Sequence, residues 1–254
     1  MNVTHSEPVL AVTGLNVNRG AYRAVRDVSF SVRPGEFVAL MGRSGAGKTT
    51  VMHSLAGLLT PSSGNVHWSH LCREACCTDR PGPRPDQRRA VMFQHYRLVP
   101  QLSALTNVLC GRLQHYSWWQ TLRGFPAAER AEAARWLAQV GLGERADLPV
   151  HHLSGGEQQR VGVARALIQQ PTILLADEPV ASLDAETANE VMRLLQQLNQ
   201  EQGLTVFCVL HDLEMAERFV NRVLLLDQGR LVYDGPAGDL QETVRGKLQW
   251  QTLL

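Results

Sequence analysis

The chain has 254 residues, 44% apolar and 19% charged, with 25 basic against 24 acidic side chains and a formal net charge of +1. That length suits one large α/β domain or two modest ones, and the balanced charge argues against the basic excess of a typical nucleic-acid binder. No run reaches the ~18 apolar residues of a membrane-spanning helix, and the start of the chain lacks a basic then apolar leader, so a soluble cytosolic chain is expected, reaching a membrane only through partners.

Residues 9–12, 28–33 and 37–41 read as short strands, with Pro34-Gly35 as the turn between the last two. The third strand runs into a glycine-rich segment and then a helical one over 49–59, closed by Pro61 and Gly64; a strand at 65–68 follows. Residues 69–88 are Pro-rich and loop-like, and hold three of the five cysteines, Cys72, Cys76 and Cys77, near His67 and His70. The C-x3-C-C spacing lacks a C-x2-C pair, so this segment reads as a surface loop with free thiols rather than a metal site. Cys110 and Cys208 make the count odd, which speaks against a disulfide framework.

After a strand at 90–94 the character becomes mostly helical. Pro126 precedes a helix at 127–142, ended near Gly141 and Gly143, and a second helix opens at Ser154 and runs through Ile168. Strand 172–177, helix 185–200, strand 205–210, helix 213–220 and strands 222–227 and 230–235 complete the chain. This alternation predicts a parallel sheet with helices on both faces.

Residues 42–49 read Gly-Arg-Ser-Gly-Ala-Gly-Lys-Thr, the phosphate-binding loop G-x-x-x-x-G-K-[ST], with a strand before and a helix after. In such a turn, successive backbone N–H groups converge on phosphate oxygens, and the helix N-terminus adds free donors and a positive dipole end. Lys48 is the cation for the β- and γ-phosphates and Thr49 offers a hydroxyl to Mg²⁺. The apolar strand 173–176 ends in Asp177 and Glu178: Asp177 suits Mg²⁺, and Glu178 suits a general base for the attacking water.

Upstream of that acidic pair stands Leu153-Ser154-Gly155-Gly156-Glu157, followed by Gln158-Gln159-Arg160. Ser154 can cap the helix, and Gly155 and Gly156 leave its N–H groups accessible to a phosphate. This segment resembles the signature motif of ABC ATPases, and the other elements of that family stand in order. Gln94 resembles the Q-loop glutamine, Ser182-Leu183-Asp184 the D-loop, and His211 the switch histidine. The resemblance covers nearly the whole chain. It implies a P-loop cassette with a RecA-like core and an antiparallel β-subdomain (1–97 and 166–254) and a helical subdomain (98–165).

It also implies the roles of the residues. Gly42, Arg43, Ser44, Gly45, Ala46, Gly47, Lys48, Thr49 and Thr50 bind ATP; Thr49, Gln94 and Asp177 hold Mg²⁺; Glu178, His211 and Gln94 serve hydrolysis. Ser154, Gly155, Gly156, Glu157 and Asp184 complete the nucleotide site of a second copy in an ATP-dependent head-to-tail homodimer. The aromatic that stacks on adenine has no clear counterpart: spacing puts Arg19 at the usual position and Tyr22 three residues on. Either could lie against the base, Arg19 by its guanidinium plane and Tyr22 by its ring, and Tyr22 is preferred.

Three kinds of work fit such an engine. Chromosome and DNA-repair ATPases need long coiled-coil arms, but Leu153 follows Gly42 by only 111 positions, without sustained heptads. Ribosome-associated factors carry two cassettes, and one phosphate-binding loop is present. A transporter subunit remains, docked on transmembrane permease subunits at the cytoplasmic face of the bacterial inner membrane. The 43 residues after His211 are too few for an added regulatory domain. Residues 98–113, with His211-Asp212-Leu213-Glu214-Met215-Ala216, resemble phosphonate-importer ATPases, which implies a periplasmic substrate-binding protein as indirect partner; residues 69–86 depart from that pattern. An exporter or lipoprotein-release ATPase is the alternative. Trp118 and Trp119, within the helical insertion, are candidates for the permease-docking surface.

Overall fold

The computed structural model describes residues 7–20, 22–69, 89–93, 97–117, 124–181 and 183–240. In chain order the elements are β1 (Leu10–Arg19), β2 (Tyr22–Val32), β3 (Phe37–Met41), α1 (Lys48–Leu55), β4 (Ser63–Trp68), β5 (Arg89–Met92), α2 (Ala104–Leu109) and a 3-10 turn over Cys110–His115. There follow α3 (Ala127–Gln139), α4 (Gly155–Leu167), β6 (Ile173–Ala176), α5 (Ala185–Gln202), β7 (Thr205–Val209), α6 (Leu213–Phe219), β8 (Arg222–Asp227) and β9 (Arg230–Pro236). They belong to two compact units, Met1–Pro83 with Asn199–Leu254, and Arg84–Leu198.

In the first unit, β3 lies between β7 and β8, parallel to both, and all five of its residues are buried. Such a strand is apolar on both faces, which is why it reads as a continuous hydrophobic run. β9 joins β8 antiparallel across the tight Gln228-Gly229 turn, because a two-residue connection cannot make a parallel crossover. A separate antiparallel sheet runs β2-β1-β4. The buried side chains of β1 are Leu10, Val12, Leu15 and Val17. Their spacing breaks phase between Val12 and Leu15, where the register shifts at Thr13-Gly14 and Gly14 has φ 57°. The bulge lets one strand continue past an interrupted alternation.

The second unit pairs β5 with β6 in parallel and packs α2, α3 and α4. Asn107, fully buried on α2, organises the segment before it. Its amide nitrogen donates to the carbonyls of Val99, Leu102 and Ser103 at 3.0, 3.2 and 3.1 Å, and its oxygen accepts from Val99 N–H at 2.8 Å. A buried amide satisfied this fully fixes loop geometry. On α5, buried Ala188, Val191, Met192, Leu195 and Leu198 form one stripe at helical spacing.

Candidate nucleotide site

β3 delivers the chain into the phosphate-binding loop, and α1 receives it. Gly42, Gly45 and Gly47 have φ of 143°, 81° and 105°, values that L side chains rarely adopt. At the two glycines that the motif fixes, the backbone is also crowded. A Cβ on Gly42 would lie 2.1 Å from Leu226 O, and one on Gly47 would lie 2.5 Å from Ala24 O. The loop is pinned from outside by Gly229, whose N–H donates to Ala46 O at 3.0 Å while its carbonyl accepts from Arg26 N–H at 2.7 Å. Lys48 is 6% exposed, and its Nζ donates to Gly42 O at 2.7 Å and Arg43 O at 2.9 Å. The ammonium is thus held within the loop by the loop's own carbonyls. Arg43, Ser44 and Thr49 are exposed, and Ala46 and Thr50 are buried.

Arg19 and Tyr22 are cross-strand partners at the tip of the β1–β2 hairpin. Directly opposed residues share a sheet face, so the two adenine candidates stand side by side. Tyr22 is 53% exposed, a flat ring open to a planar base. His211 is exposed just beyond β7, where Leu210 N–H bonds Leu40 O at 3.2 Å; Asp212 then caps α6, its Oδ1 accepting from Met215 N–H at 3.0 Å.

The second unit carries the acidic pair. Asp177, buried, leaves β6 with its N–H on Met92 O at 2.8 Å. Glu178 has φ 56°. For a non-glycine residue this backbone costs about 1–3 kcal/mol, and it persists only where surroundings over-determine it. One of those surroundings is Gln159 on α4, fully buried, whose Nε2 donates to the carbonyls of Glu178 and Pro179.

α4 begins with a complete capping box. Ser154 Oγ accepts from Glu157 N–H at 3.3 Å, and Glu157 Oε2 accepts from Ser154 N–H at 2.8 Å. Arg145 Nη1 meets the other oxygen, Oε1, at 2.5 Å. Burial alone pushes the Glu157 carboxyl up, but the two Ser154 bonds and the charges of Arg145 and Arg160 outweigh it, and the group sits below the usual range. The first acidic residue of the helix is therefore turned back onto the cap, away from the exposed Gly155, where an added Cβ would meet nothing within 4 Å. Gly156 faces Leu183, whose Cδ2 would lie 3.0 Å from a Cβ there. Asp184 caps α5, accepting from Thr187 N–H at 3.0 Å, and that hydrogen bond holds its carboxyl below the ordinary value.

Gln94, Ser182, Trp118, Trp119, Cys72, Cys76 and Cys77 lie outside the described residues. Among those described, no group of three or more His, Cys, Asp or Glu is placed to hold a metal by itself. Mg²⁺ is a hard ion usually held by one or two oxygen side chains together with substrate phosphates. Asp177, a buried carboxylate at a strand end, and the exposed Thr49 hydroxyl are donors of the right chemistry. The bracing roles of Gln159 and Arg145 are not legible in the sequence: a Gln or Arg in a polar helix or turn carries no sign of what it touches.

The fold and these elements define a P-loop nucleotide-binding cassette. The family model described as ABC transporter matches residues 25–181. The phosphonates import ATP-binding protein PhnC of Trichormus variabilis is 46% identical over 217 residues, 85% of this chain and 87% of that protein. The phosphite import ATP-binding protein PxtA of Stutzerimonas stutzeri is 44% identical over 237 residues, 93% and 85% of the respective chains. Among solved structures, the ATP-binding cassette MJ0796, dimeric in a post-hydrolysis state bound to ADP and Pi, superposes with a TM-score of 0.75 at 30% identity, covering 90% of this chain and 98% of that one. A nucleotide-free cassette from an ABC transporter gives a TM-score of 0.79 at 21% identity, a likeness of fold. The chain belongs to the ABC transporter ATPase family, and it is an ATP-binding and ATP-hydrolysing subunit. No described helix is long and apolar enough to cross a membrane.

Proposed function

We propose that the chain energises import of a phosphonate, phosphite or related phosphorus oxyanion, docked on transmembrane permease subunits at the cytoplasmic face of the inner membrane and served by a periplasmic substrate-binding protein. The similarity to phosphonate and phosphite import ATPases over 85–93% of the chain supports the cargo class. The observation that carries the mechanism is a pair of helix N-termini prepared for anions. α1 follows the phosphate-binding loop, and α4 opens on glycines with its one acidic first-turn side chain turned back onto the cap.

In this reading Lys48 and the backbone N–H groups of 42–49 hold the β- and γ-phosphates, and Tyr22 stacks on adenine in preference to Arg19. Thr49, Asp177 and Gln94 hold Mg²⁺, which when bound neutralises developing phosphate charge. Glu178 takes the proton of the attacking water, and His211 contacts the γ-phosphate. Ser154, Gly155, Gly156 and Glu157, with Asp184, close over the nucleotide of a second copy in a head-to-tail homodimer, with residues 98–165 as the helical subdomain. Because Ser154 Oγ accepts the Glu157 N–H, its own hydrogen is available to donate to a phosphate oxygen. ATP favours the closed pair and ADP the open one, so turnover becomes a conformational cycle.

The test is phosphate release by the chain reconstituted with its permease subunits in nanodiscs, with binding protein loaded with phosphonate, phosphite or phosphate. Stimulation by a phosphonate- or phosphite-loaded binding protein, abolished by Glu178→Gln, is expected. Steady ATPase activity indifferent to every loaded binding protein would overturn the importer reading and favour export.

A further inference from the structure

We infer that Gln159 is a positioning residue for Glu178, fixing the direction of the carboxylate that the proposed mechanism uses as base. The inference rests on that assignment of Glu178. Three observations meet at this point. Gln159 is a polar side chain with no exposed surface, one turn inside α4. Its Nε2 faces two successive carbonyls, those of Glu178 and Pro179. Glu178 itself has φ 56°, a left-handed backbone that its own side chain does not favour.

A carbonyl pair converging on one amide nitrogen clamps the peptide between them, and the peptide sets where the Glu178 side chain leaves the chain. Proline at 179 restricts the residue before it toward extended backbone, so Glu178 departs from that preference as well as from the ordinary sign of φ. Without the donor, both carbonyls lose a buried partner, and the backbone has reason to relax toward a commoner conformation. The lever is connected at its other end too. Gln159 rides on the helix whose N-terminus carries Ser154, and Gly156 of that helix packs against Leu183, five residues past Glu178. The helix end offered to one nucleotide and the base used on the other are thus parts of one braced assembly within the second unit.

The test compares Gln159→Met and Gln159→Leu, two donor-less replacements of different shape, in the full chain. Single-turnover and steady-state ATP hydrolysis are measured together with ATP binding. The expectation is a 10- to 100-fold fall in kcat with KM and ATP affinity within about 3-fold of wild type. Placed in a Glu178→Gln background, Gln159→Met should add less than 2-fold to the loss, because residues that act through one group are not additive. Unchanged kcat in both variants, or fully additive losses, would overturn the inference. So would loss of ATP binding in both, which would make Gln159 a general structural support. If Glu178→Gln alone turns over like wild type, it is the assignment of the base that fails, a result separable from the others.

Discussion

Gly155→Ala separates stability from chemistry at the α4 terminus. Gly155 is the first helical residue after the Ser154 cap, its backbone is one that alanine adopts freely, and an added Cβ meets nothing within 4 Å. Alanine is favoured over glycine inside a helix by about 0.8–1 kcal/mol, and by less in the first turn. For a chain of this size, 1 kcal/mol corresponds to roughly 2–4 °C in unfolding temperature. The unfolding temperature should therefore be unchanged or raised by up to about 4 °C. In the proposed closed pair, the same methyl stands where a phosphate oxygen would come within ~2.9 Å of a backbone N–H. Losing one charge-assisted hydrogen bond costs about 1.5–3 kcal/mol, which converts to a roughly 10- to 150-fold loss of turnover. Scanning fluorimetry and phosphate release on one preparation read both effects. A fall of several degrees would show that Gly155 is packed after all. Wild-type turnover would show that no phosphate approaches this helix end.

Gly47→Ala should behave in the opposite way. Its Cβ would lie 2.5 Å from Ala24 O at φ 105°. Left-handed strain of about 1–3 kcal/mol and overpacking of similar size should lower the unfolding temperature by about 5 °C or more, with loss of nucleotide binding. Glu157 carries a pH signature. Its carboxyl is lowered in the folded chain, so its stabilising contribution is complete above the ordinary carboxylate value and is lost as pH falls through the lowered one. The gap in unfolding temperature between wild type and Glu157→Gln should be present at pH 7 and close in acid, and a gap constant with pH would contradict the Arg145–Glu157 arrangement. Cys208 lies fully buried in β7, and burial pushes its thiol far above the usual range. Native protein treated with iodoacetamide should leave the Cys208 peptide unmodified by mass spectrometry, with labelling only after denaturation.

Much of this architecture is legible in the sequence where a single local signal dominates. Residues 37–41 and 223–226 are apolar runs bounded by turns, and β3 and β8 are built on them. Ser154 with Glu157 reads as a helix start because the capping residues are adjacent in sequence. The β1–β2 hairpin is harder. Strands expected at 9–12 and 28–33 extend to Arg19 and back from Tyr22, because a bulge at Thr13-Gly14 breaks the alternation that sequence reading relies on. The helix expected over 49–59 stops at Leu55, since Gly57 takes φ 72° and the chain turns there. β9 runs antiparallel to β8, the Gln228-Gly229 turn being too short for the helical crossover that a parallel pair needs. At the site, motif residues announce themselves by type and spacing. Gln159 and Arg145 do not, because their importance lies in contacts made across 19 and 12 residues.

ATP-driven pairing ended by Glu178-dependent hydrolysis is read out by the mass of Glu178→Gln in solution with and without MgATP, by light scattering after gel filtration. The monomer mass is expected without nucleotide, twice that mass with MgATP, and a dimer that retains unhydrolysed ATP. A protein that binds MgATP yet stays monomeric, or a dimer that releases phosphate at the wild-type rate, would contradict it.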